Sequence, residues 1–303
     1  MRAKKTKKRK WLRITGIIAL LIFIAVGAYV FNVYRSLTSA VDTMHQPIER
    51  ESRPITFKDR EPFTVLMLGV DEREGDKGRS DTLIAMTVNP EKNSVKMLSI
   101  PRDTRTEIIG RGAEDKINHA YAFGGVEMSM DTVENFLDIP IDYYLKVNME
   151  GFKDIVDAVG GITVNNDLAF KEGKYEFAQG SINLNGEQAL AYVRMRKQDP
   201  QGDFGRQKRQ RQVIQGVINK GTNIGSLTKF DDMFAALGNN VKTNVTFDEL
   251  IDIQRNYKDA AKNIEQMKLE GTGTTIGGIY YLQVSAEEQQ RMQNELKNHL
   301  GIQ

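Results

Sequence analysis

Twenty-one consecutive residues, Trp11–Phe31 (WLRITGIIALLIFIAVGAYVF), carry a single charge, Arg13, and this run constrains the chain more than any other stretch. As a helix it measures roughly 30 Å, the thickness of a bilayer's hydrocarbon core. It is longer than the apolar part of a cleavable leader, and Gly27-Ala28-Tyr29 before the bulky Val30-Phe31 makes a poor cleavage signal. The expectation is an uncleaved signal anchor. Arg2, Lys4, Lys5, Lys7, Lys8, Arg9, Lys10 and Arg13 crowd its start with no acid among them. Basic flanks stay in the cytoplasm, so the rest of the chain is expected outside, as a single-pass type II protein of the cell membrane. Four segments follow: a basic tail 1–10, the anchor 11–31, a linker 32–61 holding Pro47 and Pro54, and an extracytoplasmic domain 62–303.

Outside the basic cluster, acidic residues outnumber basic ones by six, so the cytoplasmic membrane is an expected partner and a specific nucleic acid is not. The chain has no cysteine, which excludes disulfides, thiol nucleophiles and thiolate metal sites. Its three histidines are scattered. Chemistry must therefore rest on carboxylates, arginines, hydroxyls and a hard cation.

Phe63–Val70 (FTVLMLGV) is a nearly continuous apolar run of strand length, the pattern of a strand covered on both faces. Residues 82–89 and 94–100 read as two more strands joined by a hairpin at Pro90–Asn93. Further strands are expected at 143–148, 162–165, 192–196 and 276–284. Helices are expected at 115–123, 126–138, 149–159, 185–191, 204–220, 229–239, 246–263 and 285–299. Strands interleaved with helices predict an α/β fold in three layers: a mixed central sheet covered by helices on both faces.

If the first three strands form an antiparallel meander, the end of the first, the start of the second and the end of the third share one rim. Asp71 follows the first strand, Arg79 and Asp81 flank the start of the second, and Arg102 and Asp103 follow the third. Gly75 and Gly78 let the intervening loop fold back, so that Asp71 and Asp81 can meet. Two carboxylates with open positions beside them suit Mg2+, which keeps waters and takes phosphate oxygens. Arginines nearby suit a phosphate or pyrophosphate, because the guanidinium fork bonds two oxygens at once. Solvated loops with surface ion pairs are the alternative, since Asp, Gly and Arg are common in turns.

A second cluster spans Tyr192–Arg196 and Asp203–Gln212. On a strand, Tyr192, Arg194 and Arg196 would share a face. On the helix after it, Arg206 and Gln210 stand at i and i+4, and Val213 and Val217 continue that stripe. A polar end giving way to an apolar groove suits an amphiphile with an anionic head and a hydrocarbon tail. Lys208, Arg209 and Arg211 read as a solvated basic face. His119 reads as a packing residue.

With these motifs together, the sequence resembles the LytR–CpsA–Psr family of Gram-positive cell-envelope proteins. The resemblance rests on Gly69–Arg73, Arg79–Thr82, Ser99–Asp103, Lys116–Tyr121, Val159–Ile162, Gly186–Arg196, Asp203–Arg206 and Arg209-Gln210, in that order. It implies a phosphotransferase that takes a glycopolymer, here wall teichoic acid, from a polyprenyl-pyrophosphate carrier. The acceptor it implies is the C6 hydroxyl of N-acetylmuramic acid in peptidoglycan. By position it implies Asp71 and Asp81 as carboxylates for Mg2+ or Mn2+. It implies Arg79, Arg102, Arg194, Arg196, Arg206 and Gln210 as the pyrophosphate-binding set. Asp203 and Asp103 are both candidates for the base that takes the acceptor's proton, with Arg79 and Arg102 stabilising charge at the reacting phosphate. Two other functions remain open on the sequence: a polyprenyl-pyrophosphate hydrolase using the same site, and a non-enzymatic lipid-binding or regulatory envelope protein.

Overall fold

The computed structural model describes residues 35, 38, 41–50, 53–71, 78–221, 237 and 240–302. The expected anchor at 11–31, and all but Leu237 of the helix expected at 229–239, lie outside the described residues. Among the described residues no helix is long and apolar enough to cross a membrane.

The expected meander is present. β1 (Phe63–Val70) pairs antiparallel with β2 (Ser80–Asn89), and β2 with β3 (Ser94–Ile100). β4 (Arg105–Ile108) and β5 (Ala113–Lys116) form a hairpin where a helix from 115 was expected. That helix, α1 (His119–Leu137), starts later and runs through the gap between the two expected helices. It bends at Gly124-Gly125, where Gly125 takes φ +68°, a conformation that costs glycine little.

β6 (Tyr143–Val147) lies parallel to β1, and α2 (Met149–Ala158) follows, capped by the Asn148 side chain accepting from the Gly151 amide. Two small antiparallel pairs come next: β7 (Ile162–Asn166) with β10 (Gly180–Leu184), and β8 (Phe170–Glu172) with β9 (Tyr175–Phe177). α3 (Gly186–Arg194) opens on an Asn185/Gln188 capping box and α4 (Asp203–Gly221) follows. After β11 (Val241–Thr243), α5 (Phe247–Asn256) and β12 (Ile264–Lys268), a hairpin of β13 (Thr272–Ile276) and β14 (Ile279–Gln283) leads to α6 (Ala286–Leu300).

Three further expectations need correction. Residues 192–196 are not a strand. The capping box starts a helix that carries through Arg194, and Met195 ends it with extended ψ. The helix expected over 246–263 stops at Asn256, and residues 264–268 instead form a sheet strand parallel to β3. The strand expected over 276–284 is divided by Gly277-Gly278, both at positive φ, into a two-stranded turn.

The main sheet is mixed, in the order β11-β6-β1-β2-β3-β12. Leu66, Leu68 and Val70 face a core formed with Met130, Val133 and Phe136 of α1 and Met292 and Leu296 of α6. Val65, Met67 and Gly69 alternate to the other face, toward α2, α3 and α4. One end of that face is closed by Phe57, Phe63, Tyr143 and Tyr257, whose rings approach at 5.2–5.9 Å. Helices thus cover both faces of the sheet, as expected. The segment expected to be a linker packs on this body from residue 41. Val41 and Met44 are buried, Arg50 Nε donates to Asp131 at 2.6 Å, and Arg53 Nε donates to Asp142 at 2.7 Å.

Candidate active site

Between the sheet and helices α2, α3 and α4 lies a cavity of about 400 Å³. Its walls are almost entirely aliphatic: Val65, Met67 and Ile84 from the sheet, Ile155 from α2, Val213 and Val217 from α4. Its charged lining is confined to Asp71, Asp81, Arg194 and Arg206, with Gln210 beside them. The stripe Arg206, Gln210, Val213, Val217 therefore behaves as its spacing predicts, passing from the polar mouth into the apolar interior. A charge is costly to bury alone and an aliphatic wall cannot solvate one, so this division fits a ligand with an ionic head and a hydrocarbon body.

The meander brings the rim together. Val70 pairs with Ser80 at a register shift, and the Asp71 amide donates to the Arg79 carbonyl at 3.4 Å, so Asp71 and Asp81 leave neighbouring strands at the same end. Arg102 Nη1 donates to Asp81 Oδ1 at 2.6 Å, and its Nε lies 3.8 Å from Asp103 Oδ2. Asp103 Oδ1 also accepts from Lys116 Nζ at 2.7 Å. Burial works against the Arg102 charge, but the bond to Asp81 and the fields of Asp81, Asp103 and Asp203 more than offset it, and its pKa is raised.

α4 supplies the opposite side. Arg206 Nη2 is 2.6 Å from Asp203 Oδ1, an ion pair by distance although Oδ1 takes no hydrogen bond of acceptable angle. Asp203 Oδ2 accepts from Gln207 at 2.9 Å, and Gln210 Nε2 donates to Thr82 Oγ1 at 2.8 Å. The Arg206 Nε is buried without a hydrogen-bond partner. Burial pulls the Arg206 pKa down. Asp203 and Asp81 oppose that fall, while Arg102 and Arg196 add to it. Residues from four segments thus act on one guanidinium.

Arg194, at the last turn of α3, lines the cavity mouth and its Nη2 contacts the Met149 sulfur. Arg196, just beyond that helix, is exposed, as is Arg79 immediately before β2. Tyr192 does not share a face with the two arginines. It is fully buried against Phe170 and Phe177.

Two arginines read as solvated are buried. Arg209 Nη1 donates to Asp199 at 2.5 Å and Nη2 to the Met195 carbonyl at 2.6 Å, over the Phe170 ring. It ties down the segment between α3 and α4, and with it the spacing of Arg194, Arg196 and Arg206. Arg211 donates to Ser99 Oγ at 2.8 Å beneath β3, where burial lowers its pKa. Lys208 is exposed and pairs with Asp167, as expected. His119 Nδ1 meets Asp115 Oδ2 at 2.7 Å. Helical periodicity gave no sign of Arg209's burial, because its partner Asp199 sits in an irregular loop.

Among the described residues no three His, Asp or Glu side chains gather as a cation cage. A hard cation at the rim would rest on Asp71 and Asp81, with Asp81 also held by Arg102. Two carboxylates, with the remaining positions left to water and phosphate oxygens, are a donor set that suits Mg2+.

The LytR_cpsA_psr family model matches residues 30–298. The chain belongs to that family. Among its LytR_cpsA_psr relatives is the polyisoprenyl-teichoic acid–peptidoglycan teichoic acid transferase TagU of Bacillus subtilis, 55% identical over 305 residues, with 99% of each chain covered. The crystal structure of B. subtilis TagU superposes with a TM-score of 0.65 at 58% identity, covering 79% of this chain and 97% of that one. A structure of TagT bound to LI-WTA superposes with a TM-score of 0.73 at 32% identity, covering 85% of this chain and all of that one.

Proposed function

We propose that this protein is a phosphotransferase that moves an anionic glycopolymer, wall teichoic acid, from a polyprenyl-pyrophosphate carrier to the C6 hydroxyl of N-acetylmuramic acid in peptidoglycan. The observation that carries the proposal is the cavity with Asp71, Asp81, Arg194 and Arg206 at its mouth and aliphatic walls beyond. The names and ligand of the relatives supply the polymer. The apolar run at 11–31 supplies the setting: an anchor in the cytoplasmic membrane, with the domain outside the cell, where carrier and acceptor meet.

The prenyl chain occupies the aliphatic interior and the pyrophosphate lies at the mouth. Arg194, Arg206 and Gln210 hold its oxygens, with Arg79, Arg102 and Arg196 around them. The acceptor oxygen forms a bond to the sugar-side phosphorus as the bridging P–O bond breaks, and polyprenyl phosphate leaves with its electron pair. A rim carboxylate, Asp103 or Asp203, takes the hydroxyl proton. The guanidinium groups offset the negative charge that grows on the phosphoryl oxygens, and Arg102 and Arg206, already held by Asp81 and Asp203, need little rearrangement to do so. Mg2+ or Mn2+, held by Asp71 and Asp81, would add charge neutralisation at the same oxygens.

The test is to supply the full-length protein with a polyprenyl-pyrophosphate-linked saccharide, with and without peptidoglycan. Product on peptidoglycan is expected, with little turnover in its absence. Release of phosphate regardless of acceptor would mark a hydrolase and sink the transfer reading. Arg194→Ala and Arg206→Ala should each lower transfer by roughly a hundredfold or more while circular dichroism stays unchanged.

A further inference from the structure

The hairpin β13–β14 is the most exposed apolar feature of the described residues, with Ile276, Ile279 and Tyr280 each more than two-fifths accessible. Its base is bound to the rim. The Leu282 amide donates to the Asp103 carbonyl at 2.8 Å, and Thr104 bridges Leu282 in parallel. Below it, Tyr281 is buried, with Lys116 over its ring, and its hydroxyl meets Asp115 at 3.4 Å. The hairpin is therefore an extension of the rim, fixed by the same Lys116 that holds Asp103.

Tyr280 is held in a particular way. A Cβ on Gly273 would lie 2.9 Å from its ring, so the ring lies across a bare backbone position of the paired strand. The ring is thus supported on one side and the residue remains about half exposed. Thr275 stands directly opposite on the same face, and Leu282, two residues on and roughly 7 Å away along the strand, is at Asp103.

We infer that this hairpin is a platform for the acceptor polysaccharide, on which a sugar ring stacks against Tyr280 while the acceptor hydroxyl reaches the rim beside Asp103. The inference rests on the transferase reading for its acceptor. A pyranose presents an apolar C–H face and a polar edge, which match a supported aromatic ring with a threonine hydroxyl beside it. Residues 271–283 carry no charge, so the hairpin offers nothing to anionic lipid headgroups. The aliphatic cavity opens on the opposite face of the sheet, which keeps donor tail and acceptor apart with the Asp81–Arg102–Asp103 rim between them.

The experiment uses the full chain in detergent and peptidoglycan sacculi stripped of teichoic acid. Cosedimentation should weaken about tenfold in Tyr280→Ala and persist in Tyr280→Trp. Equal binding by Tyr280→Ala and the parent overturns the proposal. A Trp11→Phe/Tyr280→Trp protein in phosphatidylglycerol vesicles, with its sole tryptophan on the hairpin, gives a second measurement. Its emission should be unaffected by brominated lipid, and quenching would place the hairpin in the membrane and overturn the proposal even if Tyr280→Ala folds poorly. Arg206→Ala should still bind sacculi. If transfer is absent throughout but Tyr280-dependent binding remains, the transferase reading fails and the glycan platform stands.

Discussion

Arg206 is 2.6 Å from Asp203, within the fields of Asp81, Arg102 and Arg196, and partly buried, with its Nε fully enclosed and unpaired. A cation in that state is held in place yet short of acceptors, which is the condition for binding an oxyanion without first reorganising. His299 shows the opposite use of burial. Thr87 meets its Nδ1 at 2.7 Å and Ser94 its Nε2 at 2.9 Å, and burial, helped by Lys96 and Lys92 against Glu265, lowers its pKa to about 4. The ring is neutral in the fold, while the unfolded chain takes up a proton below about pH 6.5. Stability is therefore complete above about pH 6.5 and falls as pH drops toward 4, by about 3 kcal/mol from this residue. His299→Gln should be less stable than the parent at pH 7.5 and should lose less between pH 6.5 and 4.5. Parallel urea midpoints for the two proteins across that range would refute it.

Helix α4 owes its placement to a close approach as much as to its stripe. A Cβ on Gly205 would lie 1.9 Å from Asp199 Oδ2, and that carboxylate cannot yield because Arg209 holds it at 2.5 Å. Gly205→Ala should thus push the first turn of α4 away from the 195–202 loop and carry Arg206 with it. We expect transfer to fall at least tenfold and stability by about 1–3 kcal/mol, the usual cost of overpacking. Full activity with unchanged melting would show that the contact relaxes freely. The same element shows what sequence periodicity conveys. Arg206, Gln210, Val213 and Val217 were legible as one face, whereas Arg209 and Arg211 looked solvated and are buried. Their partners, Asp199, the Met195 carbonyl and Ser99, come from a loop and a distant strand.

At the scale of the whole molecule, the sheet has two different faces. One is packed solid by α1 and α6, and the other is left open under α2 and α4 as a cavity. Native cores seldom leave such a void, and an aliphatic one is a site for apolar matter. Filling it should separate binding from folding. Val217→Trp is expected to abolish transfer from a long-chain prenyl donor, to spare a donor with a short prenyl chain, and to leave the melting temperature unchanged or higher. Equal loss with both donors would place the hydrocarbon elsewhere.

What the sequence by itself determined is what local pattern encodes: the apolar run at 11–31, the meander of three strands, the polar-to-apolar stripe of Arg206, Gln210, Val213 and Val217, and the charged residues at the strand ends. Side-chain alternation and helical period are properties of neighbouring residues, so they survive without knowledge of the fold. The tertiary structure alone decided the rest. β12 adds to β3 from far along the chain, Arg211 of α4 reaches Ser99 of β3, and β14 reaches Asp103 through one backbone bond. Those outcomes depend on which surfaces remain unpaired once the sheet has formed, and pairing between residues far apart in the chain leaves no periodic trace in either partner.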